Sequence, residues 1–119
     1  MTDRRIALGR RAEDAATEWY IAHGYRILVR NWRCARGEID IVCRTGHRPG
    51  QRTLVVSEVK ARCSNAFGSP CEAVTPAKQR RLRMLALAYL GSQSVHYDQV
   101  RFDVVAIGGG RLEVVEDAF

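Results

Sequence analysis

The sequence has few of the features that place a protein in a membrane or outside the cell. No apolar run approaches the roughly 20 residues that a transmembrane helix needs. Residues 1–5 carry charge, but no apolar stretch follows them, so no secretory signal is expected. Histidine is scarce, and the four cysteines lack zinc-ribbon spacing. We therefore expect a cytoplasmic protein with reduced thiols and no structural zinc. The cysteines are Cys34, Cys43, Cys63 and Cys71.

Lysine is nearly absent too. Of the 19 basic residues, 17 are arginine, and only Lys60 and Lys78 are lysine. The net charge is +6, and arginine suits bidentate contact with phosphate, so nucleic acid is the expected class of partner. An arginine-rich genome accounts for the Arg/Lys ratio equally well, but it does not by itself explain the net charge. The length, 119 residues, predicts one domain spanning 1–119.

The predicted elements run in the order helix, three strands, helix, two strands. Apolar residues at helical spacing predict the first helix at 4–22. Thr75 and Pro76, a hydroxyl N-cap followed by proline, predict a second helix that extends to about residue 90. The strands are predicted at 25–33, 38–44, 53–62, 100–107 and 111–115.

These elements predict an α/β fold with a mixed central β-sheet of about five strands flanked by helices, resembling restriction endonucleases. The first three strands are joined by short turns and should form an antiparallel meander. The second helix then connects the third strand to the fourth. A right-handed crossover of this kind makes those two strands parallel.

Charged residues interrupt two strands that are otherwise apolar. Asp40 lies in the second strand, and Glu58 and Lys60 lie in the third. Burying a carboxylate without a partner is costly. Because side chains alternate along a strand, Glu38 and Asp40 should share one face, as should Glu58, Lys60 and Arg62. Antiparallel register can bring Asp40 opposite Glu58, about 5 Å away.

This arrangement has a chemical interpretation. Two carboxylates so close repel one another unless a cation lies between them. Oxygen ligands suit Mg²⁺, which keeps several waters and recruits substrate phosphates. Metal-bound water is more easily deprotonated, and Lys60 could orient the nucleophile or neutralise developing charge. The pattern predicts metal-assisted phosphodiester hydrolysis; the alternative is a charged sheet edge or ordinary salt bridges.

Two further positions have open alternatives. Glu13 lies beside the apolar stripe of the first helix, so it either points toward a site or pairs with Arg10 or Thr17 in solvent. Cations crowd the N-terminal half of the second helix, where the helix dipole disfavours them. Either an anionic partner relieves that conflict, or this is a solvated face. The cations are Lys78, Arg80, Arg81 and Arg83, and Gln79 lies among them.

Several motifs occur in order along nearly the whole chain. They are Gly9-Arg10-Arg11-Ala12-Glu13-Asp14-Ala15-Ala16, Gly24-Tyr25, Asn31-Trp32-Arg33, Gly37-Glu38-Ile39-Asp40, Glu58-Val59-Lys60-Ala61-Arg62, Phe67-Gly68, Ala73-Val74 with Lys78, and Arg101-Phe102-Asp103-Val104-Val105. On these motifs the chain resembles the small bacterial family usually called YraN, whose nearest fold relatives are the archaeal Holliday-junction resolvases. The spacing of Asp40 and Glu58-x-Lys60 resembles the PD-(D/E)xK nuclease superfamily.

The resemblance implies a metal-dependent endonuclease that hydrolyses DNA, including branched or structured DNA. One or two Mg²⁺ or Mn²⁺ ions would be held by Asp40, Glu58 and the carbonyl of Val59. Lys60 would be the catalytic lysine, and Glu13 matches the superfamily's helical acidic residue. The resemblance also implies a homodimer. It implies no membrane partner. The implied nucleic-acid contacts are Arg10, Arg11, Arg36, Arg62, Lys78 and Gln79.

Two other functions remain open. The fold could bind nucleic acid without catalysis, or the acidic strand edge could serve a protein partner. The chain also departs from the superfamily pattern. Ile39 replaces the proline before aspartate, and Ser57 replaces an apolar residue, which we expect to loosen packing. Asp103 has no assigned role and is expected to pair with Arg101 or Lys78.

Overall fold

Two helices and five strands make up the described part of the chain. The structure, a computed structural model, describes residues 3–61 and 74–119, and only the backbone of 3–7. The predicted order of elements is confirmed. The elements are α1 (Asp3–Ala22), β1 (Arg26–Cys34), β2 (Gly37–Thr45), β3 (Thr53–Ala61), α2 (Pro76–Gly91), β4 (Gln99–Gly108) and β5 (Arg111–Val115). Arg62, Phe67-Gly68, Cys63 and Cys71 lie outside the described residues.

The strands form one mixed sheet in the order β1-β2-β3-β4-β5. β1, β2 and β3 are antiparallel neighbours, β3 and β4 are parallel, and β4 and β5 form an antiparallel hairpin. The α/β fold and the parallel crossover through α2 are therefore confirmed. Because the parallel pair is in the middle of the sheet, β3 has a strand on either side, and its run Leu54, Val55 and Val56 is fully buried.

One helix covers each face of the sheet. Ala16 and Tyr20 of α1 pack with Ile41, Cys43, Val55 and Val105, and we call this group the α1 cluster. On the other face, buried residues of α2 pack with the sheet, and we call this group the α2 cluster. Its members are Ile39, Val42, Leu54, Val56, Val74, Leu82, Leu85, Ala86, Tyr89, Phe102 and Val104. Burying a large aliphatic side chain contributes about 1.5–3 kcal/mol, so these two clusters hold the helices to the sheet.

The helix ends follow the predicted local signals. Thr75 accepts a hydrogen bond from the amide of Lys78 at 3.3 Å, with Pro76 at the first helical position. Gly24, with φ of +86°, follows α1 in the left-handed conformation that a terminating glycine adopts. In the described ranges neither helix is long and apolar enough to cross a membrane.

Candidate functional site

The candidate site lies where β2 and β3 separate. The regular pairing of the two strands reaches Ile41 opposite Ser57. One step further along the same register, Asp40 faces Glu58, as the sequence predicts. Here a side chain takes part in the hydrogen bonding: the amide N–H of Val59 donates to Asp40 Oδ2 at 2.8 Å. The carboxylate of Asp40 is thereby fixed in the gap between the strands.

The alternation of side chains between the two faces of the sheet is interrupted at Asp40. Ile39 packs in the α2 cluster, whereas Ile41, two residues on, packs in the α1 cluster. The strict alternation that the sequence predicts from Glu38 to Asp40 is therefore not kept. The neighbouring strand is irregular at the same level, because Asn31, between the pairs Arg30–Ile41 and Trp32–Ile39, has a φ of +54°. The irregularity lets Asp40 lie between the two faces.

The side chains of Asp40 and Glu58 lie close enough to interact directly. Burial is the largest cause that raises the pKa of Asp40, and the hydrogen bond and charge of Glu58 raise it further, to about 7. The Val59 N–H and the charge of Lys60 act in the opposite direction. Two carboxyls held this close repel one another when both are ionised.

Two lysines from different elements lie beside this carboxyl pair. Lys60 of β3 lies beside Lys78 of α2, and the proximity of these two like charges is the largest cause that lowers the pKa of Lys78. Burial lowers it further, whereas the charge of Glu58 opposes the shift. The only two lysines of the sequence therefore meet at the carboxyl pair, although 18 residues separate them along the chain.

Glu13 reaches the same region from α1. Its side chain is 19% exposed and lies 3.8 Å from the guanidinium of Arg30. Burial raises the pKa of Glu13, a hydrogen bond from Asn31 lowers it, and the charge of Asp40 raises it. The Thr17 hydroxyl bonds only the backbone carbonyl of Glu13, at 2.7 Å. Of the two alternatives, the structure favours the one in which Glu13 points toward the site.

The predicted nucleic-acid contacts have different surroundings. Arg10, Arg11 and Arg36 are exposed. Lys78 belongs to the lysine pair, and the side-chain amide of Gln79 donates to the Val74 carbonyl at 3.1 Å, which holds the chain just before α2. The remaining predicted contact, Arg62, lies outside the described residues.

A buried polar network, which the sequence pattern does not reveal, adjoins the site. Asp103 is fully buried and pairs with Arg101 through both of its oxygens, at 2.9 and 2.8 Å. The Tyr20 hydroxyl donates to Asp103 Oδ2 at 2.8 Å and lies 3.0 Å from Ser57 Oγ. A phenol has one proton, so Ser57 supplies the proton of that second bond.

This network gives Ser57 and Asp103 roles. Ser57, expected to loosen packing, instead bonds α1 to β3 immediately before Glu58. Asp103 pairs with Arg101, which is one of its two predicted partners. Residues 37 to 83 positions apart in sequence meet here (Tyr20, Ser57 and Asp103). The one local signal of this network in the sequence is the serine at an otherwise apolar position of β3.

We call the place where β2 and β3 separate the fork. The residues at the fork provide a set of oxygen ligands for a divalent cation. Asp40, Glu58 and the Val59 carbonyl supply two carboxylates and one main-chain oxygen, and Mg²⁺ is commonly bound by one or two carboxylates together with waters and phosphates. Among the described side chains, no three His, Cys, Asp or Glu residues lie close enough together to hold a metal ion. Glu13 therefore does not complete a three-carboxylate cluster in this structure.

Fold and site together define a class: an α/β protein whose mixed sheet carries a carboxyl pair and two lysines at a fork between antiparallel strands. The chain belongs to the family described as "Uncharacterised protein family UPF0102", whose model matches residues 12–107. The resemblance to the YraN family is thereby confirmed.

Curated relatives match over most of their length. A UPF0102 protein of Pelobacter propionicus is 47% identical over 93% of this chain and 81% of its own. One from Acidothermus cellulolyticus is 46% identical over 97% of this chain and 95% of its own. One from Thermodesulfovibrio yellowstonii is 41% identical over 97% of each chain.

Proposed function

We propose that this protein is a metal-dependent nuclease that hydrolyses phosphodiester bonds in DNA, with branched or structured DNA as its substrate. The observation that carries the proposal is the Asp40–Glu58 carboxyl pair, fixed by the Val59 N–H and flanked by Lys60 and Lys78. Two acids and two bases at one strand fork offer ligands for a cation and donors for a phosphate. The resemblance to the PD-(D/E)xK superfamily also implies metal-dependent phosphodiester hydrolysis. The family assignment is consistent with that resemblance.

Each residue has a role in this proposal. Asp40 and Glu58, with the Val59 carbonyl, would hold Mg²⁺ or Mn²⁺, which supplies a deprotonated water and charge stabilisation when bound. Lys60 donates hydrogen bonds to the scissile phosphate, whose negative charge grows in the transition state. Lys78 binds an adjacent phosphate oxygen. Glu13 provides a negative charge on the α1 side and helps to retain solvent cations near the fork.

A non-catalytic nucleic-acid-binding protein is the second candidate function. Two observations favour it: the described side chains form no three-carboxylate cluster, and one oxygen of Asp40 is already occupied by the Val59 N–H. In that case the positive charge of the chain would bind phosphate, and the carboxyl pair would titrate with pH without supporting hydrolysis. This candidate predicts salt-sensitive binding that survives Asp40→Ala, with no cleavage in any metal.

A cleavage assay separates the two candidates. Labelled duplex, flap and four-way DNA are incubated with Mg²⁺ or Mn²⁺, or with a chelator. We expect metal-dependent cleavage that falls at least about 100-fold in Glu58→Ala and Lys60→Ala, because each change removes a group that interacts with the transition state. Glu113→Ala is the matched control, since Glu113 is an exposed carboxylate on β5. Cleavage that persists undiminished in Glu58→Ala would overturn the assigned site.

A further inference from the structure

A second basic region lies at the other end of the sheet from the carboxyl pair. It consists of Arg26 on β1, Arg44 on β2, and His47, Arg48 and Arg52 on and next to the β2–β3 loop; we call it the loop-end surface. Arg44 is four residues from Asp40 along β2, which corresponds to about 13 Å at roughly 3.3 Å per residue. None of these five residues belongs to the proposed catalytic site.

Two of these arginines are neighbours on adjacent strands. Arg26 and Arg44 are direct partners in the β1–β2 pairing. The next pair, Ile27 with Cys43, packs in the α1 cluster, so alternation directs both arginines to the opposite face. Like charges in directly opposite positions destabilise a sheet. The fold therefore keeps two cations side by side where either alone would be more favourable.

No carboxylate compensates this charge in the described residues. Among them, the guanidinium groups of Arg26, Arg44, Arg48 and Arg52 form no ion pair. The nearby Asp98 accepts the backbone N–H of Arg52 at 2.9 Å and lies 3.5 Å from His96, and it forms no ion pair with these guanidinium groups.

Two guanidinium groups are also incompletely hydrogen-bonded. The Nε atoms of Arg44 and Arg52 are buried and have no hydrogen-bond partner. A buried charged donor without a partner is unfavourable, and the negative charge of an anion bound at this surface would offset part of that cost. The loop itself is compact, since the Gln51 amide donates to the Arg48 carbonyl at 3.0 Å, and it leaves His47 and Arg48 exposed.

We propose that the loop-end surface binds the phosphate backbone of nucleic acid, next to the segment that lies at the carboxyl pair. The position of that neighbouring segment rests on the function proposed above; the surface itself does not. One strand of B-DNA carries a phosphate about every 3.4 Å of helix axis, so about 13 Å spans roughly four phosphates. Arginine side chains suit backbone contacts, which position a duplex without reading its sequence.

The test is a binding assay without metal. Fluorescence anisotropy of a labelled duplex is measured with chelator present, between about 50 and 200 mM salt, for Arg26→Gln, Arg48→Gln and Arg111→Gln. Each phosphate contact that is lost lowers the magnitude of the slope of log K against log salt by about one. We expect that decrease in Arg26→Gln and Arg48→Gln. Arg111, exposed at the start of β5, is the charge-matched control and should keep the wild-type slope.

The melting temperature provides a second measurement for Arg26→Gln. Because this change removes the repulsion with Arg44, the melting temperature should stay equal to or rise above that of the wild type while duplex affinity falls. A merely structural role for Arg26 would lower the melting temperature instead, which would contradict the proposal.

Three other results would overturn the proposal. One is a wild-type slope in both loop-end variants, and another is an equal decrease in Arg111→Gln, which would mean that only net charge matters. The third is loss of binding to phosphatidylserine vesicles with unchanged duplex binding, which would assign the surface to a membrane. Failure of the nuclease assay leaves these measurements unaffected, because they contain no metal and score no cleavage.

Discussion

The amide of Val59 donates its hydrogen to Asp40 Oδ2 at 2.8 Å, at the level where the pairing of β2 with β3 has passed Ile41 and Ser57. A backbone donor of one strand is thus satisfied by a side chain of the next. The bond fixes the Asp40 carboxylate against Glu58. The repulsion between the two carboxyls therefore depends on whether a proton or a metal ion lies between them. The first two predictions follow from this relationship.

Stability should fall as the pH rises through the range in which Asp40 titrates. Its pKa is raised from the ordinary 3.8 to about 7 in the folded protein, so between these values the folded state holds a proton that the unfolded chain has released. The contribution is fully present below about pH 4 and is lost above about pH 7. At about 1.4 kcal/mol per pH unit, it amounts to at most about 4 kcal/mol.

Urea denaturation of the wild type and Asp40→Asn across this range measures the effect. Asparagine keeps an acceptor for the Val59 amide but cannot ionise, so the free energy of unfolding should vary less with pH and exceed that of the wild type at pH 8. Glu113→Gln, which removes an exposed carboxylate, should leave the wild-type profile intact. A profile in Asp40→Asn as steep as the wild type's would refute the assignment of this titration to Asp40.

Divalent metal should replace the proton. Above pH 7 the two carboxylates repel one another, so Mn²⁺ or Mg²⁺ should raise the melting temperature there by mass action and should do so far less at pH 5, where a proton already occupies the pair. Differential scanning fluorimetry with a metal titration measures the shift. Glu58→Gln should lose most of it, and Glu113→Gln should retain it. An equal shift at both pH values in all three proteins would count against a metal at the fork.

Much of the fold follows from local patterns. Apolar spacing in α1, the Thr75–Pro76 start of α2 and the short strand connections are signals that act over a few residues, and the helix between β3 and β4 allows their parallel pairing to be predicted. The Asp40–Glu58 pairing also follows, because antiparallel register and strand spacing limit the choices to a few.

The remaining features depend on contacts distant in sequence. The left-handed Asn31 and the change of face at Asp40 arise where two strands adapt to each other, which a strict two-residue period cannot anticipate. The partners of Asp103 come from α1, from β4 itself and from the C-terminal turn, where the Asp117 amide donates at 3.1 Å. In the sequence Ser57 is only a departure from an apolar pattern. Its role is evident only once the fold brings Tyr20 beside it.

Loss of Asp103 should destabilise the fold strongly. Asp103→Ala leaves the Tyr20 hydroxyl and the Arg101 guanidinium without their buried acceptor, and breaking such a pair costs about 3–5 kcal/mol. Tyr20→Phe, which removes the hydrogen bonds of the Tyr20 hydroxyl with Asp103 and Ser57, should cost about 1–3 kcal/mol. Urea denaturation measures both. Arg33→Ala breaks the exposed Arg33–Glu38 pair and is the matched control, with an expected loss below about 1 kcal/mol. Equal losses in Asp103→Ala and Arg33→Ala would contradict a structural role for the network.

Two glycines of the β2–β3 loop should respond differently to alanine. Both have positive φ, +84° at Gly46 and +89° at Gly50, so each substitution incurs backbone strain of about 1–2 kcal/mol. A Cβ at Gly46 would also collide with the Gln51 carbonyl, whereas a Cβ at Gly50 meets nothing within 4 Å. Thermal denaturation should therefore show a clearly larger loss for Gly46→Ala. Equal losses would show that the loop relaxes and does not hold Arg48 in place.

The most direct test of the central claim is to locate Mn²⁺ in crystals soaked at a pH above the Asp40 pKa of about 7. Anomalous scattering identifies the ion without reference to activity. We predict a peak at about 2.1 Å from one carboxylate oxygen each of Asp40 and Glu58. No peak between Asp40 and Glu58 under these conditions would contradict the claim that this pair is a metal site.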